Sequence, residues 1–108
     1  MQTLHNITSM DLTVIIPAKN EEKNIKKTVE DVHSYLAQKN ISHEIIVAEN
    51  NSTDRTAEIV REISRTVPEV KLLSLTLKSG KPSKGLGVKE GMLKATGDMR
   101  LFMDADNS

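Results

Sequence analysis

Asp104 and Asp106 stand one residue apart, directly after the apolar run Leu101-Phe102-Met103. In extended backbone, alternate side chains point the same way. The two carboxylates therefore converge on one point beyond the end of a strand. Paired hard oxygens of this kind suit Mg2+ or Mn2+, with phosphate oxygens on the far side of the ion. Charge of the opposite sign comes from the loop Lys78-Ser79-Gly80-Lys81-Pro82-Ser83-Lys84. Lys84, with Lys81, is expected beside the same phosphates. Gly85 and Gly87 let the backbone come close at a helix start, where free amides favour anions. Glu21 and Glu49 can accept hydrogen bonds from a base or ribose.

Each of these features has a plainer reading when taken singly. An Asp-x-Asp triplet after a strand is often only a turn, and a lysine cluster is often a solvated loop. Glu21-Glu22 can be first-turn acids that complement a helix dipole. Asn50-Asn51 can be turn residues tolerant of positive φ. Met92, Met99 and Met103 read as core filler. His5, His33 and His43 show no ligand spacing and are expected at the surface or rim. Two phosphate motifs are excluded. Gly85, Gly87 and Gly91 miss the dinucleotide spacing by one and follow the third strand, not the first. Gly80-Lys81-Pro82 lacks the hydroxyl and the upstream glycine of a P-loop.

The chain of 108 residues has the length of one domain, and fifteen basic residues balance fifteen acidic ones. That balance argues against nucleic acid as a partner. Tyr35 and Phe102 are the only aromatics, so no stacking platform for single strands exists. Without cysteine there are no disulfides or thiolate metal sites, and a reducing, cytoplasmic setting is expected. Met1 to Asp11 lacks the charged-then-apolar layout of a signal peptide, and no apolar run has the length of a membrane span. The sequons at Asn6 and Asn50 are therefore read as chance matches.

These residues need elements to position them. Residues 1–10 read as a loose lead-in. Leu12 to Ile16 is a β-branched, continuous run that predicts a buried strand ended by Pro17. Ile25, Val29, Val32 and Leu36 recur at helical spacing, fading near Gln38-Lys39-Asn40. A strand is expected at Glu44 to Ala48. Ser52 or Thr53 is the expected N-cap of a second helix carrying Ile59, Val60, Ile63 and Val67 and closed by Pro68, with Asp54 in its first turn. Val70 to Leu75 predicts a third strand, less buried because it alternates. A third helix is expected over 85–95 with Gly97 as its stop, and a fourth strand over Met99 to Met103. The alternation predicts an α/β, Rossmann-like, mostly parallel sheet in the order 3-2-1-4 with helices on both faces. Ligands of such sheets bind beyond the carboxyl ends of the strands, where the order reverses. Glu21 and Asp104 are expected to flank that crevice.

Four blocks in order resemble the N-terminal half of a family 2 glycosyltransferase of the GT-A fold. They are Val14-Ile15-Ile16-Pro17-Ala18-Lys19-Asn20-Glu21-Glu22, Glu44 to Thr56, Lys84 to Gly91 followed by Ala95-Thr96-Gly97-Asp98, and Leu101-Phe102-Met103-Asp104-Ala105-Asp106. The likeness covers residues 12–108 and is closest to transferases that load a hexose onto dolichyl or polyprenyl phosphate. The resemblance implies a donor domain over 11–108 that binds a UDP- or GDP-hexose. Pro17, Ala18 and Glu21 would line the nucleoside pocket, Glu49 would meet the base, and Lys84 would face the phosphates. Asp104 and Asp106 would hold the diphosphate and its Mg2+ or Mn2+. It also implies that the acceptor half and the catalytic base lie beyond Ser108, outside this chain. The full-length protein would then meet a lipid phosphate at the cytoplasmic face of a membrane. The fourth strand would be left as an exposed edge through which the chain self-associates.

Two positions depart from the family's usual pattern. Glu49, Asn50 and Asn51 replace two aspartates and a glycine, and Lys19 stands where an aromatic residue is common. The alternative reading is an incomplete nucleotide-binding fragment or a subunit completed by a partner chain. A sugar nucleotidyltransferase would need a glycine-rich, arginine-bearing loop after the first strand, which Pro17-Ala18-Lys19-Asn20-Glu21 does not supply.

Overall fold

A computed structural model describes residues 10–50, 52–75 and 96–103. Its elements are β1 (Met10–Ala18), α1 (Ile25–Gln38), β2 (His43–Asn50), α2 (Thr56–Thr66), β3 (Val70–Leu75) and β4 (Gly97–Phe102). The strands form one sheet in the order β3-β2-β1-β4, and every pairing is parallel. This is the order expected from the sequence. The helix expected over 85–95 and the basic loop before it lie outside the described residues.

Strand polarity explains the core. Val14, Ile16 and Ala18 share a face with Ile45, Val47 and Val70, and onto that face pack Ile25, Val29 and Leu36 of α1 and Val60 and Ile63 of α2. Both helices present an apolar stripe at helical spacing, so each is held by burial of that stripe rather than by its ends. Full burial of side chains such as Ile25 or Val60 contributes roughly 1.5–3 kcal/mol each. The second face of β1 is also closed, with Ile15 fully buried. That agrees with a central strand apolar on both sides.

Several boundaries differ from expectation, each for a physical reason. β1 runs through Pro17, which pairs in register with Ala48. The Met103 amide donates to the Ile15 carbonyl at 3.0 Å, so alternate residues of β1 turn their backbone groups toward β4. Pro17 faces the same way but lies past the last residue paired with β4, so its missing N–H breaks no described bond. Gly97 opens β4 instead of ending a helix. Met99 is 67% exposed and is not core filler, whereas Met103 does pack against the core. Leu101 and Phe102 are 52% and 57% exposed, so β4 is an apolar edge among the described strands. His43 is buried rather than superficial: its Nδ1 lies 2.8 Å from the Ile41 carbonyl and its Nε2 lies 2.9 Å from Nδ1 of His33. The carbonyl can only accept, so Nδ1 of His43 carries a proton.

Candidate functional site

Parallel pairing puts all strand ends of one kind on one edge. At the carboxyl edge Ala18 lies beside Glu49, and Asn50 beside Leu75. The bond from Met103 to Ile15 brings the end of β4 to the same edge. Of the residues expected to bind a nucleotide, Pro17, Ala18, Glu21 and Glu49 are thus gathered there. Lys84, Asp104 and Asp106 lie outside the described residues, although β4 delivers the chain to this edge immediately before the two aspartates. Among the described residues, no group of three or more His, Cys, Asp or Glu is arranged to hold a metal ion.

Glu49 is buried, and its two carboxylate oxygens are already engaged. One accepts from the Ser52 amide at 2.5 Å and the other from the Ser74 hydroxyl at 2.8 Å. Each oxygen retains a further lone pair. The extra methylene of glutamate over aspartate lets one side chain turn the loop after β2 and also reach β3. Glu21 and Glu22 precede α1 and do not sit in its first turn. The Glu21 carbonyl accepts from the amides of Asn24 and Ile25 at 3.0 and 2.8 Å, which starts the helix with no side-chain cap. The Glu21 carboxylate accepts from the Asn24 side chain at 3.3 Å.

The loops after β1 and β2 are stitched together. Three successive amides of the first loop donate to side chains of the second loop and of the first residue of α2: Asn20 to Ser52 Oγ at 3.0 Å, Glu21 to Thr56 Oγ1 at 2.8 Å and Glu22 to Asp54 Oδ2 at 3.2 Å. Three bonds return, from the Thr53 amide and hydroxyl to Asn20 Oδ1 at 2.8 and 3.4 Å and from the Arg55 amide to Glu22 Oε1 at 3.3 Å. Asn20 adopts a left-handed backbone with φ 54°, a conformation that asparagine tolerates better than most residues. With Ser52 and Thr53 engaged by Asn20, the N-cap position of α2 falls to Arg55, which makes no side-chain cap bond, and Asp54 just before it serves the first helical residue. Asp54 Oδ1 accepts from the Thr56 amide at 2.9 Å and from the Thr56 hydroxyl at 2.5 Å. α2 accordingly starts two residues later than a Thr53 cap would place it. Burial works against the Asp54 carboxylate, but the Thr56 and Glu22 donors outweigh it and hold its pKa below the usual value.

A second polar cluster lies at the opposite, amino edge. Glu44 is 1% exposed, yet it accepts from Thr13 Oγ1 at 2.6 Å, Lys71 Nζ at 2.7 Å, and the Thr96 amide and hydroxyl at 2.6 and 2.8 Å. Burial would raise its pKa, but these donors prevail and lower it to about 2. Thr13 Oγ1 in turn accepts from the Gly97 amide at 2.8 Å. The cluster ties β4 to β1, β2 and β3 at the end away from the candidate site. It escaped the sequence reading because its members are scattered along the chain.

The fold and the edge it builds define a class. The profile of Glycosyl transferase family 2 matches residues 13–108, and the chain belongs to that family. Among relatives, a dolichyl-phosphate beta-glucosyltransferase of Trichomonas vaginalis is 30% identical over 98% of this chain and 33% of its own length. The chain spans about a third of the length of the curated relatives it matches. Among solved structures, S. aureus TarS 1-349 superposes with TM-score 0.73 at 31% identity, covering 90% of this chain and 28% of that one. The mannosyltransferase PcManGT of Pyrobaculum calidifontis, in complex with GDP-Man and Mn2+, superposes with TM-score 0.71 at 27% identity, covering 91% and 28%. The shared sheet order and the matched span agree with the resemblance read from the four sequence blocks. No helix of the described residues is long and apolar enough to cross a membrane.

Proposed function

We propose that this chain is the donor-binding part of a family 2 hexosyltransferase. It binds the nucleoside diphosphate of a UDP- or GDP-hexose across the carboxyl edge of the sheet. The whole protein moves the hexose to an acceptor of the dolichyl or polyprenyl phosphate type. The observation that carries this reading is the gathering of Pro17, Ala18, Glu21 and Glu49 at the edge where the strand order reverses, the edge at which β4 also ends. The Trichomonas relative supports the acceptor class, and the complex of PcManGT with GDP-Man and Mn2+ supports a nucleotide sugar and a divalent ion.

In this reading the residues divide the work. Ala18 and Pro17, at the end of a buried central strand, form a rigid floor. Glu21 and the free lone pairs of Glu49 accept hydrogen bonds from the nucleoside. The donor set of Asp104 and Asp106 is all carboxylate oxygen, which fits Mg2+ or Mn2+ and disfavours softer ions. When bound, the ion would neutralise the diphosphate that departs from the anomeric carbon. Lys84 adds positive charge to the same phosphates.

Titration calorimetry of the chain with UDP or GDP tests the reading. Binding is expected in the presence of Mn2+ or Mg2+ and is expected to vanish with chelator or in Asp106→Ala. Metal-independent binding that Asp106→Ala leaves unchanged would refute the assignment of the ion.

A further inference from the structure

The loop after β1 makes few bonds of its own. Within it, bonds run from Asn24 and Ile25 back to Glu21. The amides of Asn20, Glu21 and Glu22 are all held from outside, by Ser52, Thr56 and Asp54. Thr56 is the middle of these three anchors and is fully buried. Its hydroxyl has one proton, which goes to Asp54 Oδ1. The oxygen lone pairs are thereby turned toward the Glu21 amide. Asp54 also holds the neighbouring Glu22 amide through its other oxygen. One carboxylate and one hydroxyl thus fix two adjacent peptide units of a loop that borders Ala18 and Glu49.

We propose that Thr56, oriented by Asp54, is a positioning residue for the donor nucleotide. It holds the Glu21 peptide so that the Lys19–Glu22 turn is already in place when the ligand arrives. The inference rests on the donor-binding reading above and adds to it a residue that belongs to α2, behind the edge, and does not touch the ligand. The physical basis is preorganisation: a loop ordered beforehand loses no conformational entropy on binding. Removing the Thr56 hydroxyl leaves the Glu21 amide and Asp54 Oδ1 each without that partner, and the loop must then be ordered by the ligand itself.

The sheet supplies its own control. Thr13 is also a fully buried threonine whose hydroxyl joins a carboxylate to a backbone amide, but it sits at the amino edge. Thr13→Val and Thr56→Val are the same isosteric loss at opposite ends of one sheet. The test measures UDP and GDP affinity by calorimetry with Mn2+, together with melting temperature, for the 108-residue chain and its variants. Thr56→Val is expected to weaken nucleotide binding roughly tenfold, the scale of one lost hydrogen bond. Thr56→Ser, which keeps the hydroxyl, is expected within about twofold of the parent. Thr13→Val is expected to melt lower and bind as the parent does.

Equal affinity of the parent and Thr56→Val would overturn the inference while leaving the donor-binding reading intact. Equal weakening by Thr13→Val and Thr56→Val would also overturn it, by reducing the effect to general destabilisation. A parent chain that binds neither nucleotide would overturn both. Should Thr56→Val fail to fold, Asp54→Asn takes its place with the same three outcomes, because its amide group cannot accept from both Thr56 and Glu22.

Discussion

A buried carboxylate is costly unless donors surround it, and Glu44 meets that condition with four. Its pKa of about 2 in the fold compares with an ordinary value of 4.5. As pH falls, the unfolded chain therefore takes up the proton first, and stability drains away with it. The contribution is fully present above pH 4.5, shrinks as pH falls toward 2, and amounts to on the order of 3 kcal/mol. Glu44→Gln removes the charge that Lys71 and the Thr96 amide seek. Urea unfolding at neutral pH is expected to show Glu44→Gln less stable by about that amount. The two stability curves are expected to converge between pH 4.5 and 2. A constant gap across that range would mean that Glu44 is not the titrating group.

At the scale of elements, the docking of β4 is decided by close approach. A Cβ on Gly97 would lie 2.6 Å from the Thr13 nitrogen and 2.7 Å from the Leu12 carbonyl carbon. Both are backbone atoms, so no rotamer change relieves the overlap. Gly97→Ala is expected to force β4 away from β1 and break the bond to Thr13, at about 2–4 kcal/mol. Thermal unfolding measures the loss, and weakened exchange protection of the Met103 amide locates it. The sheet order, the three strands over 10–75 and both helices were legible in the sequence, because continuous β-branched runs and a 3.6-residue apolar period each report a single buried face. Gly97 was misread because a glycine after a helical pattern looks like a C-cap, and only its partner 84 positions earlier shows the other use. The Glu44 cluster was hidden for the same reason, its partners lying 27, 31 and 52 positions away. At the candidate site, Pro17, Ala18, Glu21 and Glu49 could be named from strand ends alone. The stitching of Asn20, Asp54 and Thr56 could not, since Ser52 and Thr53 look like better caps until Asn20 is seen to occupy them.

Over the whole molecule, the two polar clusters divide the sheet by role. The amino edge is held by Glu44 and its donors, and the carboxyl edge by the stitched loops and Glu49. Glu44 and Glu49 are five residues apart on one strand, roughly 16 Å. That exceeds the distance beyond which effects at separate sites usually add. A ligand that binds only the folded chain stabilises it by RT ln(1 + [L]/Kd), about 2.7 kcal/mol at a hundredfold excess over Kd. For a domain of this size that is roughly 10–20 °C in melting temperature. Nucleotide with Mn2+ is expected to contribute this increment to the parent chain and the same free-energy increment to Glu44→Gln, which starts from a lower melting temperature. Chelator should remove the increment from both. An increment in Glu44→Gln smaller by more than about 0.5 kcal/mol, the usual limit of additivity, would show that the two edges communicate through β2. The amino edge would then belong to the binding machinery rather than to the scaffold alone.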